Sequence, residues 1–127
     1  MLDSPSVSGA RQRLGKTGEN LAVVELQRRG YVILARRYRT RHGEIDVVAR
    51  DGDTTVFVEV KARVTAECGA AAEAVTAAKQ RRLASMAVDF LARKRLMDRP
   101  CRFDVVAIDG DGADRTITVY CSAFDVS

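Results

Sequence analysis

The residues best placed for chemistry are two acids and a lysine, Asp46, Glu59 and Lys61, in two apolar runs joined by a turn. If residues 52 and 53 form a two-residue turn, the runs pair as antiparallel strands in which Asp46 faces Glu59 and Glu44 faces Lys61. Alternate residues of a strand share a face, so all four side chains would then project from one side of the sheet. With the turn centred one residue earlier, Asp46 is diagonal to Glu59 and still within reach.

Two ionised carboxylates among apolar residues repel each other, and burying them unpaired costs several kcal/mol. A shared proton, the ammonium of Lys61 or a divalent cation would offset this cost. Carboxylate oxygens with few other ligands suit Mg²⁺ or Mn²⁺, whose bound waters can act on a phosphate, and Lys61 would then orient or deprotonate the attacking water. The alternative is a solvated strand face with a salt bridge between Glu44 and Lys61, worth less than ~1 kcal/mol.

Polar residues of two predicted helices also point toward this hairpin. In a helix over residues 12–29, Glu19 shares a face with small and apolar residues, so we expect it to point inward and to join the two strand carboxylates. A pairing along the helix, or an exposed position, is the alternative for this residue. In a second helix over residues 70–95, Lys79 and Gln80 fall within the apolar stripe and either face the sheet or snorkel at its boundary.

The elements that position these residues follow from hydrophobic spacing and turn composition. Besides the two helices, the sequence predicts five strands, over residues 31–38, 44–50, 54–62, 103–108 and 116–120. The order α-β-β-β-α-β-β predicts a single α/β domain with a mixed central sheet flanked by helices. Residues 1–10 have the composition of a flexible tail, which leaves residues 11–127 as the domain.

Composition excludes several other classes of protein. One histidine and three widely spaced cysteines cannot form a His-rich or paired-cysteine zinc site, and the cysteines are expected to be buried, reduced thiols rather than disulfides. The longest apolar runs are too short to span a bilayer, and the polar start is not a signal peptide. We therefore expect a cytoplasmic protein that does not bind membranes.

Charge is segregated along the chain. The segment between Glu25 and Glu44 contains six arginines and no acid. The charged residues within 79–95 are all basic except Asp89, whereas those of the C-terminal stretch are mainly acidic. Arginine forks hold phosphates well, so these clusters favour a nucleic-acid partner, although solvated faces are the alternative. The candidates for contacts with phosphates beside the hairpin are Arg36, Arg37, Arg39 and Arg41.

Five motifs together resemble a known family. They are Gly15-x-x-Gly18-Glu19, Gly43-Glu44-Ile45-Asp46, Val58-Glu59-Val60-Lys61, Lys79-Gln80-x-Arg82-Leu83 and Arg102-Phe103-Asp104-Val105-Val106. Their combination resembles the bacterial YraN-like family of predicted nucleases, over residues 11–124. That family is similar to archaeal Holliday junction resolvases and to the restriction-endonuclease-like PD-(D/E)XK fold. Two departures are the lack of a proline before Asp46 and alanines, in place of a proline, in the loop after Lys61.

The resemblance implies a nuclease that hydrolyses phosphodiester bonds in DNA, including branched or junction DNA, with Mg²⁺ or Mn²⁺. It implies that Asp46, Glu59 and Glu19 are metal ligands or their supports and that Lys61 is the catalytic lysine. The accessory candidates are Glu44, Lys79 and Gln80. Resolvase-like relatives act as dimers, so the resemblance allows a homodimer, but the sequence identifies no dimer face and leaves the oligomeric state open. The alternatives are a nucleic-acid-binding module with this fold that does not cleave, and a cytosolic scaffold whose charged clusters are only solvated.

Overall fold

Two helices and five strands account for most of residues 7–63, 76–110 and 112–124, which are the residues that this computed structural model describes. Their order confirms the predicted α-β-β-β-α-β-β sequence of elements. The elements are α1 (Val7–Arg28), β1 (Val32–Thr40), β2 (Gly43–Asp51), β3 (Thr54–Arg63), α2 (Ala77–Arg93), β4 (Cys101–Asp109) and β5 (Thr116–Phe124). A short 3-10 turn, Gly112–Asp114, lies between the last two strands.

The five strands form one sheet in the order β1-β2-β3-β4-β5. Neighbouring strands are antiparallel except β3 and β4, which run parallel. Parallel neighbours need a long crossover connection, and α2 lies in the connection between these two strands. The prediction of a mixed central sheet is therefore confirmed.

The hairpin of β2 and β3 has the register that a two-residue turn predicts. Asp51 pairs with Thr54, and the pairing continues without a shift to Val47 and Val58. Gly52, in the turn, has a φ of 62°, a backbone conformation that glycine adopts without strain. The turn chemistry therefore sets which residues of the two strands lie side by side.

In the described part of the chain, α1 and α2 pack on opposite faces of the sheet, each over its own hydrophobic core. The core under α1 combines helix residues such as Leu26 with the strand residues Val47 and Val58. The core under α2 is richer in aromatic rings, and Phe90 meets Phe57 edge-on with 5.9 Å between ring centroids. Because both faces are buried, the central strands read as nearly continuous apolar runs.

The helix boundaries differ from the predicted ones. Thr76 has an extended backbone and its side-chain oxygen accepts a hydrogen bond from the Lys79 N–H at 3.2 Å, so it caps α2, which begins at Ala77. The predicted start at residue 70 is wrong because alanines favour a helix without specifying where it begins; residues 70–75 lie outside the described residues. α1 begins at Val7, within the segment whose composition is that of a tail.

Cys101 and Cys121 are free thiols on exposed strand positions. The prediction of buried cysteines is therefore wrong for both, and Cys68 lies outside the described residues. Neither α1 nor α2 combines the length with the apolar composition needed to cross a bilayer.

Candidate active site

The sheet opens between β2 and β3 at the predicted carboxylate pair. The last pair of the ladder is Val47 with Val58, whereas β2 stays paired with β1 as far as Gly43 and β3 with β4 as far as Arg63. Where the ladder ends, the side chain of Asp46 replaces a backbone acceptor: its Oδ2 accepts a hydrogen bond from the Val60 N–H at 2.8 Å. We call this opening the fork.

β2 and β1 are both irregular beside the fork. Val47 packs under α1 but Ile45, two residues earlier, packs under α2, although residues two apart in a regular strand share a face. Across from this irregularity Arg37 has a φ of 53°, a conformation that residues with a side chain rarely adopt. Asp46 therefore lies where two strands depart from regular geometry together.

Glu59 is buried on the α2 side of the fork and is surrounded by two lysines. Its Oε2 accepts a hydrogen bond from the Nζ of Lys79, the residue that α2 places over β3. The Nζ of Lys61 lies 4.0 Å from the same oxygen. The side chains of Lys61 and Lys79 are 29% and 33% exposed, against 7% for Glu59, so the lysines lie between the buried carboxylate and the solvent.

The two carboxylates of the fork interact unfavourably. Burial, and then the negative charge of Glu59, raise the pKa of Asp46 to about 7, although the Val60 N–H and Lys79 act in the opposite direction. The prediction that the strand carboxylates cluster is therefore supported by their electrostatics. Burial and the nearby charge of Glu59 thus both make it costly to ionise Asp46.

Glu19 points inward from α1, as its helical face predicts, and is 7% exposed. Its Oε1 accepts a hydrogen bond from the Nη2 of Arg36 at 2.8 Å, and its Oε2 accepts one from the Nε of Arg37 at 3.0 Å. Consecutive residues of a regular strand point to opposite faces, so the left-handed backbone of Arg37 is what lets both arginines reach Glu19.

Three acids do not converge on one point in the described part of the chain. Within residues 17–63, 76–110 and 112–124, no three His, Cys, Asp or Glu side chains are grouped so as to hold a metal ion among themselves. Glu19 still raises the pKa of Asp46, but less than Glu59 does. The structure thus brings Asp46 and Glu59 together and engages Glu19 with two arginines beside them.

Glu44 pairs with β1 and not with Lys61. Its Oε2 accepts a hydrogen bond at 3.0 Å from the Nε of Arg39, its register partner. The predicted placement of Glu44 opposite Lys61 is wrong because the β2–β3 ladder ends before it reaches either residue. Of the other accessory candidates, Lys79 contacts the fork directly and Gln80 is half-buried in the first turn of α2.

The four arginines proposed to contact phosphates lie on β1 and on the turn after it. Arg36, Arg37 and Arg39 bind the carboxylates described above, and Arg41 lies on the turn beside His42. All four are exposed, so their binding of phosphate stays a prediction.

Sequence reasoning missed a buried ionic network at the other end of the sheet. Asp104 is fully buried and accepts hydrogen bonds from the Nε of Arg102 at 3.1 Å and from the Ser122 N–H at 2.9 Å. Arg102 also donates to the hydroxyl of Tyr31 at 2.5 Å and pairs with Asp51 at 3.1 Å. The signal was an aspartate within the apolar run of β4. The network joins the end of α1, the β2–β3 turn, β4 and β5.

Residues 18–108 match the family described as "Uncharacterised protein family UPF0102". A UPF0102 protein of Geobacter metallireducens is 46% identical over 114 residues, which is 90% of this chain and 93% of that protein. The chain belongs to the UPF0102 family. A UPF0102 protein of Symbiobacterium thermophilum is 52% identical over 98 residues, 77% of this chain and 83% of the relative. One of Ralstonia pickettii is 54% identical over 101 residues, 76% of this chain and 80% of the relative.

UPF0102 is the YraN-like family that the five motifs resemble. The part of this chain that matches the family begins at Gly18 and ends at Ile108. It includes both carboxylates of the fork, Glu19 and the two lysines beside Glu59, and it ends before β5.

Proposed function

We propose that this UPF0102 protein is a divalent-metal-dependent nuclease that hydrolyses phosphodiester bonds in DNA, including branched DNA. The observation that supports the proposal is the fork, where two carboxylates on adjacent strands lie in a partly buried opening of the sheet. Glu59 binds Lys79 and has Lys61 nearby, so acidic oxygens and ammonium groups lie side by side. In metal-dependent cleavage of a phosphodiester, carboxylates hold the ion and a cationic group stabilises the charge that develops on the phosphate.

The donor set fits Mg²⁺ or Mn²⁺. Mg²⁺ is commonly held by one or two carboxylates together with waters and phosphate oxygens of the substrate, so Asp46 and Glu59 would suffice as its protein ligands. Burial is the main cause of the raised pKa of Asp46, and the neighbouring charge of Glu59 adds to it, so a cation at the fork would lower the cost of ionising both carboxylates. When bound, the ion would polarise the scissile phosphate and lower the pKa of a water molecule.

The residues of the fork have separate tasks in this proposal. The Val60 N–H holds the Asp46 carboxylate in one orientation, and Lys79 holds that of Glu59. The Nζ of Lys61 is 4.0 Å from Glu59, which is longer than a hydrogen bond, so this ammonium can turn toward a phosphate oxygen or an attacking water. There it would stabilise the negative charge that develops on phosphorus.

Glu19 supports the fork rather than ligating a metal. Both of its oxygens accept hydrogen bonds from arginines, and one of these, Arg37, also interacts with the charge of Asp46. Glu25, which follows Glu19 by between one and two turns of the same helix, offers a matched comparison. Its carboxylate also binds two arginines, Arg28 and Arg29.

The test is cleavage of labelled flap and four-way-junction DNA by the purified protein with Mn²⁺ or Mg²⁺. We expect the wild type and Glu25→Gln to cut. Asp46→Asn, Glu59→Gln and Lys61→Ala should not cut but should bind DNA with nearly unchanged affinity. Cutting by Asp46→Asn at the wild-type rate would contradict the proposal.

Binding without cleavage, across substrates and divalent ions, would instead favour the non-cleaving nucleic-acid-binding module. The absence of salt-sensitive binding would contradict both functions.

A metal titration tests the fork without DNA. A ligand that binds only the folded state stabilises it by about 2.7 kcal/mol at one hundred times its dissociation constant, so Mn²⁺ should raise the melting temperature of the wild type and of Glu25→Gln. Asp46→Asn should show no such rise. Equal rises in all three proteins would mean that the ion binds elsewhere.

A further inference from the structure

A cavity of about 420 Å³ lies between the β1–β2 turn and the outer face of α2, outside the fork. Arg41 and His42 line it from the turn, and Ser85, Asp89 and Arg93 line it from the helix. Among the described lining residues, two guanidinium groups and an imidazole therefore face the space with one carboxylate. This composition suits an anion with several oxygens, such as a phosphate group.

The carboxylate that lines the cavity, that of Asp89, accepts hydrogen bonds from protein donors. Asp89 accepts a hydrogen bond from the Tyr38 hydroxyl at 2.8 Å, and both of its oxygens lie 3.2 Å from the Nε of Arg93. A guanidinium carries five N–H groups in a fixed fork, and this ion pair uses only the one on Nε. Asp89 thus orients Arg93, whose side chain is 71% exposed, and leaves the cavity a net positive charge.

Both walls of the cavity are held in place. Tyr38, which holds Asp89, packs edge-on against Phe90 with 5.1 Å between ring centroids. In the turn, the Thr40 hydroxyl accepts a hydrogen bond from the His42 N–H at 3.0 Å and donates one to the Gly43 carbonyl at 3.3 Å. Basic groups on fixed walls bind an anion with less ordering than groups on free side chains.

The cavity lies on the same side of the sheet as Glu59 and Lys79. Ser85 and Asp89 follow Lys79 on α2 by six and ten residues, which is about 9 and 15 Å along the axis at 1.5 Å per residue. Successive phosphates of one strand rise by about 3.4 Å along a duplex and are farther apart than this in space, so the distance spans at most about four nucleotides.

We propose that this cavity binds one backbone phosphate of a nucleic-acid strand, within about four nucleotides of the phosphate held at the fork. The proposal rests on the proposed function, because it places the fork and the cavity on one strand. The contact positions the strand and does not read its sequence, since phosphates are the same at every nucleotide.

The test is the salt dependence of binding to a fluorescently labelled flap duplex, measured by anisotropy in EDTA so that no cleavage occurs. The variant Arg41→Gln/Arg93→Gln removes both guanidiniums of the cavity. Its matched control is Arg28→Gln/Arg29→Gln, which also removes two exposed guanidiniums and the same i,i+4 type of ion pair, here with Glu25.

Each phosphate contact adds about 0.9 to the slope of log affinity against log salt. We expect the slope of the cavity variant to be smaller than that of the wild type by about 1, and that of the control to be unchanged. In a scan of single uncharged methylphosphonates along the strand, one position should weaken binding by the wild type and have no effect on the cavity variant.

An unchanged slope in the cavity variant, or an equal loss in the control, would overturn the proposal while leaving the nuclease function standing. If the slope is unchanged but inorganic phosphate raises the melting temperature of the wild type alone, the cavity binds free phosphate instead. If the wild type itself shows no salt-dependent binding, the proposed function fails, and the assignment of this cavity fails with it.

Discussion

The contact between Gly18 on α1 and Ala62 on β3 leaves no room for a methyl group. A Cβ added at Gly18 would lie 2.9 Å from the Cβ of Ala62, whereas carbon atoms pack best at about 3.5–4.0 Å. Neither atom can rotate away, because both are attached to the backbone. Gly18→Ala therefore forces α1 away from β3, and with it the adjacent Glu19, which binds two arginines beside the fork.

Two opposing contributions set the size of the effect. Overpacking of this kind lowers the free energy of unfolding by about 1–3 kcal/mol. Replacing glycine by alanine within a helix raises it by about 1 kcal/mol. We expect Gly18→Ala to lower the free energy of unfolding by ~0–2 kcal/mol. Each kcal/mol lost should lower the melting temperature by roughly 4 °C. Thr17→Ala is the control, because Thr17 is exposed on the same helix and gains only helix propensity.

A double-mutant cycle isolates the contact. Ala62→Gly removes the opposing carbon and by itself destabilises the strand by about 0.5–1 kcal/mol. In the Gly18→Ala/Ala62→Gly protein the clash is gone and the helix keeps its alanine. The double variant should therefore be more stable, by ~1–3 kcal/mol, than the sum of the two single effects predicts. Urea unfolding followed by circular dichroism measures all four proteins. A stabilising Gly18→Ala, with no coupling to residue 62, would refute the close contact of helix and sheet.

Three further predictions concern the rest of the fold. Asp104→Ala leaves the guanidinium of Arg102 without its buried carboxylate and should cost roughly 3–5 kcal/mol in urea unfolding. Phe90→Leu removes two edge-on ring contacts, at 5.1 and 5.9 Å, and should cost about 1–3 kcal/mol in the same assay. Burial raises the pKa of Tyr31 to about 12, so the unfolded chain loses the phenolic proton first as the pH rises above about 10. The protonated phenol of Tyr31 therefore contributes its full stabilisation below about pH 10 and loses it by about pH 12. The free energy of unfolding of Tyr31→Phe should fall less steeply with pH over this range than that of the wild type.

Each of these has a result that would contradict it. A loss below about 1 kcal/mol for Asp104→Ala would mean that the network is solvated rather than buried. Equal slopes of stability against pH for the wild type and Tyr31→Phe would mean that the hydroxyl is open to water. An unchanged urea midpoint for Phe90→Leu would mean that the aromatic contacts add nothing to the packing of the core.

The hairpin shows how far local sequence reasoning reaches. The residues of the β2–β3 turn predict its length, and the turn length sets the register as far as Val47 and Val58, the residues next to Asp46 and Glu59. That step needs no knowledge of the rest of the chain. The end of the ladder at Val47 and Val58 was not predictable in this way, because it depends on β2 following β1 while β3 follows β4.

Glu19 shows where such reasoning stops. Helical spacing predicts that this side chain points inward, and it does. Its partners, Arg36 and Arg37, follow from the position of α1 over β1 and from the left-handed backbone of Arg37. No pattern of residue types marks that backbone conformation, since only the packing of the two strands imposes it.

The sequence by itself determined the order of the elements, the mixed α/β architecture, the hairpin register and the placement of Asp46, Glu59 and Lys61 on neighbouring strands. These features depend on hydrophobic period and turn chemistry, which act over a few residues. The tertiary structure alone decided that the sheet opens at Asp46 and that Lys79 binds Glu59. It also decided that arginines engage Glu19 and that the β1–β2 turn and α2 enclose a basic cavity. Those outcomes join residues far apart in the chain, and their positions are set only when the helices pack on the two faces of the sheet.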